Sequence, residues 1–312
     1  MDLVFCGTSG FAVPTLQALM DSPEFTVKLV VTQPDRPRGR GLELVASPVK
    51  QLALSHHLPV TQPEKIKNNP EFRVQLEAIR PQAIVVVAYG RIVPQWMLDL
   101  PPLGNINLHA SLLPKYRGAA PIQWAIAQGE EVTGVTTMRI DAGLDTGDIL
   151  LKRELVISPD DTAETLSPRL AEIGAPLMVE TLRALAAGSI QPMPQDDTQA
   201  TLAPILKKED GRIDWQRSAR EIHNRLRGFQ PWPGAFTTFR GKTLNIWGAT
   251  FHDGSQASLA PGQMIVEGDR LLVSCGDGTS LELSIVQPEG KKRMSAADFV
   301  RGYRPGRGEI LG

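Results

Sequence analysis

The stretch Ala83-Ile84-Val85-Val86-Val87-Ala88-Tyr89 is apolar at every position. A half-buried strand alternates and an amphipathic helix repeats every 3.6 residues. A short β-branched run with neither pattern reads as a strand covered on both faces, as in a parallel sheet packed between helices. The flanking sequence agrees. Leu3-Val4-Phe5-Cys6 is stopped by Gly7-Thr8-Ser9-Gly10, and a β-branched run at 27–32 is stopped by Gln33-Pro34-Asp35. Val60-Thr61 and Asn105-Ile106-Asn107-Leu108-His109 read as further strands. Helical patterns fall between them near 11–20, 47–57, 69–79, 94–100 and 119–128. The alternation predicts an α/β fold with a doubly wound, mostly parallel, Rossmann-like sheet.

Past residue 130 the pattern changes. Strand runs at 135–140 and 149–157 flank a glycine-rich segment. Asp161-Thr162-Ala163-Glu164 reads as a capping box opening a helix to about 187, in which Pro168 and Pro176 predict a break or kink. Residues 189–206 hold no period of 2 or 3.6 and read as a linker between a domain at 1–188 and another at 207–312. In the second, Ser218-Ala219-Arg220-Glu221 is a capping box, and short strands are predicted near 235–240, 243–248, 262–267, 270–274 and 280–286. Five short strands punctuated by Gly and Pro suggest a small β-barrel of the OB-like kind.

Charge divides the chain in the same place. The 312 residues carry a formal net charge of -1, but residues 1–206 sum to -5 and 207–312 to +4. A basic second half points to a polyanionic partner. No apolar run approaches the roughly 20 residues of a membrane helix, and the first residues lack the basic region of a signal peptide. Two cysteines, Cys6 and Cys275, make neither a disulfide framework nor a zinc cluster. The expectation is a soluble cytoplasmic protein without a metal.

Two segments carry chemistry. Asn107 and His109 lie two apart at the carboxyl end of a predicted strand, so an amide and an imidazole share one face where open α/β sheets place their ligand crevice. Asp141-Ala142-Gly143-Leu144-Asp145-Thr146-Gly147-Asp148 lacks the spacing and terminal Glu of a calcium loop and reads as a rigid turn presenting one carboxylate inward. The turn at 7–10 lacks the G-x-G-x-x-G spacing of a dinucleotide site.

With these two segments, Thr32-Gln33-Pro34-Asp35-Arg36-Pro37, Ser111-Leu112-Leu113-Pro114, Tyr116-Arg117-Gly118-Ala119-Ala120-Pro121 and Pro231-Trp232-Pro233-Gly234 complete a pattern. The chain resembles the 10-formyltetrahydrofolate-dependent formyltransferases along essentially its whole length, and among them the branch whose acceptor is methionyl-initiator-tRNA. The resemblance implies a formyltransferase domain at 1–188 and a tRNA-binding domain at 207–312, with 10-formyltetrahydrofolate as formyl donor. It places the catalytic roles on Asn107, His109 and Asp145. Folate contacts fall on Ser111, Leu112, Leu113 and Pro114 and on main chain around Tyr89, Arg91 and Ile92. Arg36, Arg38, Arg40, Lys207, Arg220 and Arg227, with the basic stretch 291–307, are expected to meet tRNA. A monomer without membrane attachment is expected. A sugar-nucleotide formyltransferase or formyl hydrolase module remains an alternative, as does, from another class, a nicotinamide oxidoreductase using the turn at 7–10.

Overall fold

A computed structural model describes residues 1–38, 43–252, 259–306 and 308–312. The chain forms two compact units. The first comprises Met1–Pro121, Val132–Val156 and Leu166–Pro204, the second Ile122–Glu131, Ile157–Thr165 and Ile205–Gly312.

The strands of the first unit are β1 (Asp2–Gly7), β2 (Thr26–Val31), β3 (Arg36–Arg38), β4 (Glu43–Val45), β5 (Val60–Thr61), β6 (Ala83–Val87), β7 (Asn105–His109), β8 (Val132–Arg139) and β9 (Ile149–Val156). Seven of them form one sheet in the order β5-β2-β1-β6-β7-β8-β9. Pairing is parallel from β5 to β7 and antiparallel at β7–β8 and β8–β9. Every residue of β6 is buried, which is why that strand shows no alternation. Helices α1 (Val13–Met20), α2 (Pro48–Ser55), α3 (Pro70–Ile79) and α4 (Gln95–Leu98) connect the parallel strands. Ser47 caps α2 by accepting from the Lys50 N–H at 3.1 Å, and Asn69 caps α3 through the Phe72 N–H at 3.0 Å. In both, Pro follows the cap, where its missing N–H costs nothing.

In the arginine-rich segment after β2, β3 pairs antiparallel with β4, Arg36 opposite Val45. Arg40 and the side chain of Arg38 lie outside the described residues. The linker expectation meets a different arrangement. Residues 189–204 lie on the first unit, where Met193 pairs with Ile149 and Ala203 with Arg117 through main-chain hydrogen bonds. Isolated bridges of this kind have no period and so leave no pattern to read.

Helix α5 (Pro121–Ala127) follows β7, and α6 (Ala163–Ala186) runs through both Pro168 and Pro176 as one element rather than breaking. Its cap lies one residue beyond the expected place. Thr162 Oγ1 accepts from the Thr165 N–H at 3.3 Å and Thr165 Oγ1 from the Thr162 N–H at 3.0 Å, while Asp161 holds the Ser158 N–H.

In the second unit, α7 (Ala219–Gly228) starts at the capping box of Ser218 and Glu221 read from the sequence. The strands β10 (Ala235–Phe239), β11 (Lys242–His252), β12 (Met264–Glu267), β13 (Arg270–Ser274), β14 (Ser280–Pro288) and β15 (Met294–Ser295) make an antiparallel sheet, with β15 on β14 and α8 (Ala296–Tyr303) after it. The last residues run between the two ends of this sheet. The Met264 N–H donates to the Glu309 carbonyl beside β12, and the Gly312 N–H donates to the Thr238 carbonyl on β10. One apolar cluster, including Trp215, Ile222, Leu226, Phe239, Leu283 and Phe299, fills the interior. Cys6 and Cys275 are buried and unpaired. Burial pushes both thiols up, Cys275 to about 12. No helix among the described residues is long and apolar enough to cross a membrane.

Candidate active site

Asn107 and His109 stand at the carboxyl end of β7. In register, Asn107 lies opposite Val86 of β6, so the chain that leaves β6 at residues 88–92 emerges beside them. The crevice expected at the ends of parallel strands is thus bordered by two neighbouring connections.

His109 is 5% exposed, and its Nε2 lies 2.9 Å from the Tyr116 carbonyl. Nδ1 faces Asp145 Oδ2 at 3.7 Å. Neither residue is near the other in sequence. Arg139, at the end of β8, pairs with Ile106 near the start of β7, so the segment after it folds back along the strand to bring Asp145 to His109. The same carboxylate oxygen accepts the Gly118 N–H at 2.8 Å. The separation of 3.7 Å exceeds a direct hydrogen bond, yet a third polar atom about 2.8 Å from each can bridge the two. Asn107 is partly buried, and its side-chain amide makes no hydrogen bond among the described residues. Its N–H group is therefore available to a ligand, with an acid–base pair next to it.

Backbone geometry makes this arrangement specific. Asp145 takes φ 53° and Tyr116 φ 63°, both left-handed and uncommon for residues with a Cβ. Gly118 has φ +123°, and a Cβ there would come within 2.6 Å of the Ala203 carbonyl oxygen. Only glycine lets its N–H reach the Asp145 carboxylate from this position.

The residues implied for folate divide. Residues 90–92 make no main-chain hydrogen bond to other main chain among the described residues, and Ile92 is 91% exposed. The Tyr89 carbonyl accepts from Gln33 Nε2 at 2.8 Å and Thr8 Oγ1 at 3.2 Å, while its ring is buried against Val4, Cys6 and Met97. Arg91 is partly exposed. Leu112 and Pro114 are partly buried. Ser111 is buried and donates to the Lys115 carbonyl at 2.6 Å, and Leu113 packs inside with Met138 and Ile149. Both of these shape the turn from within.

The residues implied for tRNA also divide. Arg36, Lys207 and Arg220 are exposed, with Arg220 lying 4.4 Å over the Phe251 ring. Arg227, expected on an RNA-facing surface, is half-buried instead. Its guanidinium donates to the Asp161 carbonyl at 2.9 Å and to Asn224 Oδ1 at 2.8 Å. Arg217 and Arg301 each face two carboxylates. Lys291, Lys292 and Arg293 make no ion pair among the described residues, and Arg293 stacks 3.4 Å over Trp247.

Sequence reading missed Gln195 and the side-chain role of Arg117. Gln195 Nε2 donates to the carbonyls of Asp145 and Gly147 at 2.8 and 2.7 Å, and its Oε1 accepts two N–H groups of Arg117 at 3.0 and 2.8 Å. Tyr116-Arg117-Gly118 was visible as a motif, but a lone Gln in a segment rich in Pro, Asp and Thr carries no signal. Among the described residues no group of three or more His, Cys, Asp or Glu side chains is placed to hold a metal.

Comparison with known proteins gives the family. The formyl transferase family matches residues 1–182, and the formyl transferase C-terminal domain matches residues 205–304. The methionyl-tRNA formyltransferase of Koribacter versatilis is 65% identical over 312 residues, covering all of this chain and 99% of the relative. That of Acidobacterium capsulatum is 64% identical, covering 97% and 96%. Among solved structures, an N-formyltransferase from Helicobacter canadensis in complex with folinic acid and dTDP-3-aminofucose superposes with TM-score 0.66 at 19% identity, covering 92% of this chain and 98% of that one. Matched in both halves, and nearly two-thirds identical to a relative along its full length, this chain belongs to the formyl transferase family, enzymes that transfer a formyl group.

Proposed function

We propose that the enzyme moves a formyl group from 10-formyltetrahydrofolate to the α-amino group of methionyl-initiator-tRNA, in the cytoplasm and as a monomer. The observation that carries this reading is the full-length identity of 65% to a relative named for that activity. The solved neighbours that act on sugars share too little sequence to bear on the acceptor.

The residues suit the chemistry. The amine attacks the formyl carbon, charge gathers on the formyl oxygen, and the tetrahedral adduct collapses as the folate nitrogen leaves with the proton that the amine has given up. The free Asn107 amide donates to that oxygen, a contribution of about 3–4 kcal/mol for one well-aimed donor. His109, held by Tyr116 through Nε2, assists at that oxygen from the Nδ1 side of its ring. Asp145 takes the proton released by the attacking amine through a bridging water. The donor's pterin lies against the main chain of residues 90–92, with Tyr89 fixing that segment and Leu112 and Pro114 closing over it. Arg36, Lys207, Arg220 and the run 291–293 meet RNA phosphates, mostly without reading bases. Residues 1–188 form the catalytic part and 207–312 the tRNA-binding part.

The test is transfer of labelled formyl from 10-formyltetrahydrofolate, comparing charged initiator tRNA with an amino-sugar nucleotide. Label on methionine alone supports the reading, and label on the sugar alone overturns it.

A further inference from the structure

We propose that Gln195, locked by Arg117, is a positioning residue for Asp145. The role rests on the function proposed above, because it acts on the carboxylate assigned there to proton transfer.

Asp145 sits in a left-handed conformation on a loop exposed on one side. That region is uncommon even for Asp, one of the few residues with a Cβ that enters it, and neighbouring groups favour it here. Two contacts do so from opposite ends. Gly118 N–H takes the side-chain carboxylate at 2.8 Å, and Gln195 Nε2 takes the main-chain carbonyls of residues 145 and 147 at 2.8 and 2.7 Å. One amide nitrogen thus bridges both sides of the Thr146 turn and sets its width. Gly147 permits this, since a Cβ there would lie 1.9 Å from the Arg139 carbonyl oxygen.

The orientation of the Gln195 amide is determined by chemistry. Arg117 has donors only, so the end of the amide it touches is the oxygen, leaving the nitrogen for the two carbonyls. Arg117 is itself 7% exposed, and it also donates to Asp197 Oδ1 at 2.8 Å. Its own N–H and carbonyl pair with Thr201 and Ala203. Three consecutive residues therefore serve both catalytic partners. The Tyr116 carbonyl holds His109, the Arg117 side chain holds Gln195 and through it the Asp145 backbone, and the Gly118 N–H holds the Asp145 side chain.

The discriminating variant is Gln195→Glu. It keeps the size of the side chain and its pairing with Arg117 but turns an acceptor toward two carbonyl oxygens. Gln195→Met removes the donor without adding repulsion. Both are assayed with 10-formyltetrahydrofolate and charged initiator tRNA, with folded enzyme counted by 5-formyltetrahydrofolate binding. We expect kcat per folded enzyme to fall about 10- to 100-fold, the range for partners that orient an active group, with both KM values within about twofold of wild type. A purely structural role lowers the unfolding temperature and leaves kcat per folded enzyme intact. That result, or a loss confined to KM, overturns the proposal. If neither variant folds, the exposed Asp197→Ala decides, where loosening Arg117 should cost kcat severalfold and a wild-type kcat overturns the role. A wild-type enzyme that formylates no methionyl-tRNA sinks the functional reading itself, whereas an active wild type with fully active variants sinks only this inference.

Discussion

Nε2 of His109 lies 2.9 Å from the carbonyl oxygen of Tyr116. A carbonyl only accepts, so this nitrogen carries a proton, and Nδ1 is the ring atom turned toward Asp145. The ring is thereby fixed at one end, with the other end turned to the carboxylate. Asn107→Ala, His109→Ala and Asp145→Ala should each lower kcat by about 10²-fold or more while tRNA binding stays nearly intact. Single-turnover formyl transfer and filter binding test this together, and near-normal rates in all three variants would remove the mechanism.

Gly118→Ala should harm both fold and activity. The added Cβ meets the Ala203 carbonyl oxygen at 2.6 Å in a backbone conformation of φ +123°. Strain of this kind costs about 1–3 kcal/mol, and relieving it moves the N–H away from Asp145. Urea unfolding should show the loss of stability and the formyl transfer assay a lower kcat. A variant matching wild type in both would mean that the turn at 116–118 has room to adjust.

Binding of tRNA should weaken with salt, and the unpaired cations should account for it. Replacing Lys291, Lys292 and Arg293 together with Ala should reduce the slope of log affinity against log salt by about two to three, if each meets one phosphate. Arg301→Ala should leave the slope nearly unchanged, because its guanidinium already holds Asp269 and Asp298. Equal slopes for the two variants would locate the docking surface elsewhere.

Stability should fall in mild acid through His223. Burial, and next the positive charge of Arg227, lower its pKa to about 4. The unfolded chain takes up a proton near pH 6.5 and the folded one only near 4, so the unfolded state binds more protons between those values and stability rises with pH there. The contribution is complete above pH 6.5 and is lost progressively down to about 4. Urea midpoints at pH 7 and pH 5 should differ less in His223→Gln than in wild type. An unchanged difference would assign the acid sensitivity to other groups.

Much of this was legible in the chain itself. The continuous apolar run of β6, the period of two in β10, and the Ser218–Glu221 box each have a local cause, so local pattern reveals them. Asn107 and His109 share a face because a strand repeats every two residues, which is also local. Asp145 came from the resemblance and from glycine spacing, since nothing nearby says which carboxylate of the loop turns inward. Gln195 was invisible because its partners are backbone carbonyls about 50 residues away, and carbonyls have no identity in a sequence. Arg227 misled for the converse reason, as a charge on a helix looks the same whether it faces solvent or caps a neighbouring turn.

Both native thiols are sealed in apolar surroundings with their acidity suppressed. Maleimides and spin labels react with thiolates, so at neutral pH they should pass this protein by. A cysteine introduced at Trp232, which is 57% exposed, would then be the single addressable handle for anisotropy or distance measurements, with no need to strip the natural ones first.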